Sequence, residues 1–271
     1  MRKNLFRALA MALALMVVVT GCGTKKDDNV LRVGMEAGYA PFNWTQLDDS
    51  NGAVPIEGSA EFAGGYDVEI AKRIAAGLGK ELVIVKTEWS GLEMALNSGK
   101  IDVIIAGMSP TAERAQRIDF SDSYYESDLV MVVKNGGKYA NATTLADFAG
   151  AKVTAQMGTF HYTVIDQIPN VEQLPAMDDF TAMRVALEAG MIDAYVSERP
   201  EAISAAAANA NFKMIELEDG FTTSPEDTVV AVGLRKGSEL KEQINQILAG
   251  ISAEERLQIM DEAIKNQPTS D

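Results

Sequence analysis

ELVIVKTEWSGLEMALNSGKIDVIIAGM, residues 81–108, is the stretch that decides the fold. The β-branched run 81–88 reads as a strand, residues 92–97 are helical in pattern, and the apolar run 101–108 reads as a second strand. Gly99 stands where a helix commonly ends in a left-handed residue. Strand, helix and strand in succession make a βαβ unit, whose two strands lie parallel in one sheet.

The same grammar extends in both directions. Upstream, LRVGME (31–36) precedes a helical stretch over 66–78. After residue 150 the pattern returns with AKVTAQM (151–157), a helix around 159–168, VEQLPAM (171–177), a helix over 180–189, IDAYVSE (192–198), a helix through 202–210, and FKMIELE (212–218). Two α/β lobes follow. ALNSGKID (95–102) and ALEAGMID (186–193) share the frame A-L-x-x-G-x-I-D, which supports a pseudo-repeat. In each, a strand starts after the glycine and points its carboxyl end toward the place where open α/β sheets bind ligands. Asp102 and Asp193 open those strands and are read as structural. YYESDLVMVVK (124–134) reads as one long strand leaving the first lobe, and DTVVAVGLR (227–235) as a second, so two crossover strands form a hinge. Residues 238–266 read as a packed terminal helix pair broken at Gly250. The Gly-, Ser- and Asp-rich segment 47–65 reads as a surface excursion near the cleft.

At the amino end, Arg2, Lys3 and Arg7 precede an apolar run over 8–19 that stops at Val19-Thr20-Gly21-Cys22. The run falls short of the roughly 20 residues that cross a bilayer, so it reads as an export signal. The string before Cys22 resembles a bacterial lipobox, which implies cleavage there, lipid on the sulfur and a body tethered outside the cytoplasmic membrane. The leader carries three positive charges and no acid, so its removal takes the formal charge from −15 to −18. Nucleic acid is a poor partner for such a body, and anionic lipid is no better. With the only cysteine on the anchor, the chain has no disulfide, thiolate nucleophile or cysteine metal site. The single histidine, His161, reads as a surface or packing residue, which leaves little for zinc or a Ser-His-Asp triad.

IDVIIAGMSPTAER (101–114) is the most telling internal string: a buried strand enters a Ser-Pro-Thr turn and then a helix start with Thr111 as N-cap. Free N–H groups at a helix start suit a carboxylate, and Arg114 can add a bidentate clamp on the same anion. Spacing alone leaves open the alternative that Arg114 pairs with Asp119 or Asp122 on the surface.

The chain resembles the extracellular solute-binding proteins of polar amino-acid ABC transporters, the group that includes lysine/arginine/ornithine-, histidine- and glutamine-binding proteins. The matching strings are LRVGMEAGYAPF (31–42), GGYDVEIAKRIAAGLGKELVIV (64–85), residues 101–114, IDFSDSYYES (118–127), the Gly158-Thr159 turn and AGMIDAYVSERP (189–200). The resemblance implies two Rossmann-like lobes joined by two crossover hinge strands, a periplasmic-binding-protein-like type II fold, closing on one free amino acid. It implies that Arg114 grips the α-carboxylate with help from Ser109 and the Thr159 turn, and that Glu198 receives the α-ammonium near the Gly107 carbonyl. Tyr39 and Trp89 match rings that enclose the ligand side chain, and Glu36 matches an acid that meets its distal polar group. Glu stands at 36 and 198 where the family usually has Asp, Phe160 replaces a small hydroxyl residue of some basic-ligand relatives, and Gln156 can hydrogen-bond a polar side chain.

The expected organisation is a signal over 1–21, a lipid-anchored linker over 22–29, a first lobe over 30–133 plus 225–266, and a second over 134–224. The expected function is capture of an amino acid, leaning to lysine or arginine, for an ABC permease and its ATPase, by a monomer without catalytic residues, cofactor or metal. Glutamine or another polar amino acid is the runner-up. A dehydratase-like enzyme on the same scaffold is the rival in kind, with Glu36 and Glu198 as its only acid and base candidates. A sensor for a membrane kinase would need a separate partner, because the chain ends at Asp271 without a membrane span or output domain.

Overall fold

The structure, a computed structural model, describes residues 29–268; the leader, Cys22 and the linker up to residue 28 lie outside the described residues. Two five-stranded mixed sheets form the two lobes. In the first, the strand order is Glu81–Lys86, Val30–Met35, Val103–Ile104, Val229–Leu234, Asp119–Glu126. In the second it is Glu172–Gln173, Lys152–Thr154, Ala194–Glu198, Leu129–Lys134, Phe212–Ile215.

These orders are the same topology read twice. Three parallel strands are followed by an antiparallel crossing strand, Val229–Leu234 in the first sheet and Leu129–Lys134 in the second. The shared A-L-x-x-G-x-I-D frame leads in both cases to the third parallel strand. Its glycines, Gly99 and Gly190, have φ of 79° and 72°, a region where a side chain is strained. Its aspartates play matching parts. Asp102 accepts from the Arg32 N–H at 2.9 Å, and Asp193 accepts from the Lys152 N–H at 2.8 Å, each fastening the third strand to the start of the first.

Helix Tyr66–Gly77 packs on the first sheet through Val68, Ile70, Ala71 and Ile74. It can begin only because Gly65 has φ 120°: a Cβ there would stand 2.4 Å from the Phe42 carbonyl oxygen. That close approach lets Tyr66 and Asp67 donate their N–H groups to Pro41 and Phe42. The terminal helices Leu240–Ala249 and Ala253–Asn266 meet at Gly250, and Ser252 caps the second by accepting from the Glu255 N–H.

Three expectations differ from the structure. Residues 124–134 are two strands, because Ser127 and Asp128 carry the chain from one sheet to the other; Ser127 N–H donates to the Thr228 carbonyl, so both crossings run side by side. Leu129–Lys134 therefore pairs within the second sheet, and the first crossing lies upstream of residue 133. The segment 47–65 is an edge addition and lines no part of the interlobe cavities described below. Its strands Val54–Pro55 and Phe62–Gly64 join Gly38–Tyr39 and Asn43–Gln46 in a four-stranded antiparallel sheet, and Ile56 pairs with Ile84 at the sheet edge. Finally, the helix expected after Thr111 is a single 3-10 turn, Arg114–Gln116.

Candidate functional site

The carboxyl ends of the strands in both sheets face a cleft with two compartments. The outer cavity, about 750 Å³, has walls from both lobes, including Met94 and Arg117 on one side and Met157 and Tyr162 on the other. The inner one, about 10 Å³ in this conformation, is lined by Tyr39, Trp89, Gly107, Ser109 and Arg114 from the first lobe. Gln156, Thr159, Phe160, His161, Phe180 and Glu198 line it from the second. Every expected residue is there except Glu36, which adjoins it through Gln156.

Arg114 is buried at the meeting of the lobes. Its Nη1 donates to the Ser109 carbonyl at 2.9 Å and its Nη2 to the Gly158 carbonyl at 3.0 Å, so one guanidinium ties the first lobe to the second. The Trp89 ring lies 4.9 Å beneath it, a cation-π contact. Burial pulls the guanidinium down to about 10, which leaves it cationic at neutral pH. The surface-pair alternative is not what forms: Asp119 pairs with Lys236, and it is Arg117 that takes Glu93 and Glu113. Because only a 3-10 turn follows Thr111, the attraction for an anion here comes from the guanidinium and not from a helix dipole. Ser109 hydroxyl donates to the Asp227 carbonyl at 2.9 Å, and Thr159 hydroxyl to the Gln156 carbonyl at 2.7 Å. As placed, both offer the cleft lone pairs or backbone.

Glu198 stands at the end of strand Ala194–Glu198 and at the N-cap of helix Arg199–Ala208. Its Oε1 is 3.3 Å from His161 Nε2, while its Oε2 has no protein partner. The two His161 nitrogens and the Tyr39 hydroxyl are likewise buried without hydrogen bonds. The Tyr39 ring is stacked between Phe42, at 4.9 Å, and Phe180 of the second lobe, at 4.4 Å. Glu36 accepts from Gln156 Nε2 at 3.0 Å through one oxygen and leaves the other unpaired. Burial pushes its carboxyl up to about 8.

Buried polar atoms in folded proteins nearly all have partners, so the concentration of unpaired ones around this small space marks it as the polar business end of the cleft. A cationic group at one end, an unpaired carboxylate oxygen at the other and rings between them suit a small dipolar molecule. His161 and Phe180 belong to this wall and were missed: a lone histidine in a Gly-Thr-Phe-His-Tyr turn and a helix-start phenylalanine have no sequence signal beyond packing. His161 is 4 % exposed, so of its two readings, surface or packing, the surface one is corrected; it packs on Phe160 and Phe180 and also faces the Glu198 carboxylate. Among the described residues no group of three or more His, Cys, Asp or Glu could hold a metal ion, and no helix is long and apolar enough to cross a membrane.

Comparison with known proteins bears on this geometry. A family model described as bacterial extracellular solute-binding proteins, family 3, matches residues 31–264. A probable histidine-binding protein of Campylobacter jejuni is 32% identical over 217 residues, covering 76% of this chain and 78% of that one. A crystal structure of an amino acid ABC transporter substrate-binding protein from Streptococcus pneumoniae, bound to L-arginine, superposes with TM-score 0.77 at 28% identity, over 88% of this chain and 94% of that one. An ancestral arginine-binding protein bound to glutamine gives TM-score 0.71 at 32% identity, over 86% and 97%.

Proposed function

Because this chain belongs to the bacterial extracellular solute-binding proteins of family 3, we propose that its cleft captures one free amino acid and hands it to the permease and ATPase of an ABC importer. The observation that carries this reading is the buried Arg114 at the lobe seam, sharing one pocket with the unpaired Oε2 of Glu198 on the other lobe. The α-carboxylate goes to Arg114, beside the Ser109 and Thr159 backbone. The α-ammonium goes to Glu198, with Gly107 opposite. Tyr39 and Trp89 enclose the side chain, and Glu36 with Gln156 meets its distal group. A ligand that touches both lobes only when they are together biases the hinge toward closure, and no chemistry is needed.

The ligand we favour is arginine or lysine. Glu36 and Glu198 can each neutralise a positive charge, and the arginine-bound relative supports the same choice. Glutamine is the second reading, favoured by the Gln156 amide beside Glu36 and by the glutamine-bound ancestral protein. Calorimetry against the twenty amino acids tests this: arginine or lysine should bind most tightly, and a preference for a small neutral amino acid would refute the cationic assignment. Should none of the twenty bind, the amino-acid reading itself fails.

Protons separate the two readings. With its carboxyl near 8 while the second lobe covers it, Glu36 carries a proton at pH 7 in the closed cleft until a cation meets it. A guanidinium placed against it favours the carboxylate, so binding arginine should release a proton and the heat should vary with the buffer's ionisation enthalpy. Glutamine should release none, and Glu36→Gln should abolish the dependence. The same shift has a stability consequence. A carboxyl raised above its unfolded value holds its proton in the folded state, so Glu36 makes the empty protein less stable as pH rises from about 4.5 to about 8. Thermal midpoints of wild type and Glu36→Gln across that window should converge at its acid end and diverge at its basic end; parallel curves would contradict the assignment.

As an extracellular solute-binding protein the body works outside the cytoplasmic membrane. We assign its tether to lipid on Cys22 and its working form to a monomer. His161 beside Glu198 adds an acid–base candidate for the enzyme rival, which incubation of the protein with its ligand and a search for turnover would detect; unchanged ligand supports capture alone.

A further inference from the structure

Behind the first-lobe wall of the inner pocket lies a buried acid that the cleft does not touch. Asp67, at the start of helix Tyr66–Gly77, is 0% exposed. Its Oδ2 accepts from Asn43 Nδ2 at 2.7 Å and its Oδ1 from the Tyr124 hydroxyl at 2.8 Å. Tyr124, also buried, in turn accepts the Gly107 N–H at 3.2 Å. A phenol has one proton to give. While Asp67 is ionised it takes that proton, which turns the Tyr124 oxygen as an acceptor toward Gly107, whose N–H also lies close enough to Asp67 to favour its carboxylate.

Gly107 is the residue where that chain meets the pocket. Its φ is 61°, and a Cβ there would stand 2.7 Å from Cε1 of Tyr39, so the ring packs against the bare backbone. Rotating the Gly107 peptide would therefore move the backbone wall opposite Glu198 and the Tyr39 ring together. Burying a carboxylate on neutral donors is costly, and apolar side chains would fill a purely packed core at lower cost. Here burial raises Asp67 to about 7, against the lowering effect of its hydrogen bonds.

We propose that Asp67 and Tyr124 are positioning residues for ligand capture: they hold the Gly107 N–H from behind and so set the pocket wall that meets the α-ammonium end of the ligand. This rests on the amino-acid reading of the cleft. Neither side chain touches the ligand.

The test compares Tyr124→Phe with Tyr66→Phe. The second variant removes the bond from Tyr66 to the Tyr124 carbonyl, 2.8 Å long, and leaves the relay intact. Two readouts are taken: hydrogen exchange of the Gly107 amide without ligand, and calorimetric affinity for L-arginine and for 5-guanidinopentanoic acid, which lacks the α-amino group. Tyr124→Phe should speed Gly107 exchange and weaken arginine about tenfold, the scale of one buried hydrogen bond, with a smaller loss for the des-amino analogue. Tyr66→Phe should change neither, although both variants lower the melting temperature. Unchanged exchange or affinity in folded Tyr124→Phe, an equal effect of Tyr66→Phe, or equal weakening of both ligands overturns the proposal. Should Tyr124→Phe fail to fold, Asp67→Asn is read by the same criteria. If wild type binds no arginine, the ligand reading is at fault, and Gly107 exchange still decides whether the relay exists.

Discussion

Arg114→Ala is expected to weaken amino-acid binding by about 2–5 kcal/mol, the range for truncating one member of a buried charge pair, which is roughly 30-fold or more in Kd. The guanidinium is held on three sides, by the Ser109 carbonyl, the Gly158 carbonyl and the Trp89 ring. The Ser109 carbonyl and the Trp89 ring, both of the first lobe, orient it before the lobes meet, so little side-chain entropy is lost on binding. A carboxylate entering the small inner pocket gives up much of its hydration and needs a cation to offset that desolvation. Arg114 is the one expected residue that brings a positive charge to that pocket. Arg114→Lys should fall between wild type and Ala, because it keeps the charge but loses the planar fork. Calorimetry measures both, with melting temperature as the control for folding. An Ala variant that binds like wild type would show that the anion site lies elsewhere.

Glu198→Gln should cost a comparable amount of affinity, about 2–5 kcal/mol, with a different signature in the empty protein. The substitution preserves size and removes the charge. The carboxylate has His161 at 3.3 Å and the Tyr39 hydroxyl beside it, neither of them a cation-strength partner fixed on Oε2. Losing a poorly compensated buried charge should leave the empty protein as stable as wild type or more so, while ligand affinity drops. Destabilisation together with unchanged affinity would place Glu198 outside the ligand's reach. The pair of readings separates a binding acid from a structural one, because a structural acid moves stability first.

The two lobes were legible because the repeated frame at 95–102 and 186–193 does the same physical job twice, turning a helix end on glycine and pinning a strand start with aspartate. Such local chemistry is written in neighbouring residues. The hinge was not, since 124–134 is an unbroken strand-like run, and only its change of partner sheet after Glu126 divides it. The segment 47–65 is the surface excursion its composition suggests, but its two strands were not legible, because they are short and form only by pairing with each other, with Asn43–Gln46 and, through Ile56, with Ile84. Most of the residues that line the inner cavity stand at strand ends and turns and could be named from the sequence. His161 and Phe180 could not, because their importance comes from what faces them across the cleft, Glu198 for one and Tyr39 for the other.

A crystal structure of the protein with L-arginine would show how Arg114 and Glu198 divide the ligand's charged groups. The carboxylate is expected on the Arg114 guanidinium and the ammonium against Glu198, with both lobes touching the ligand at once. A ligand bound to one lobe alone, or lying away from Arg114 with that side chain still engaged only by Ser109 and Gly158, would contradict this arrangement.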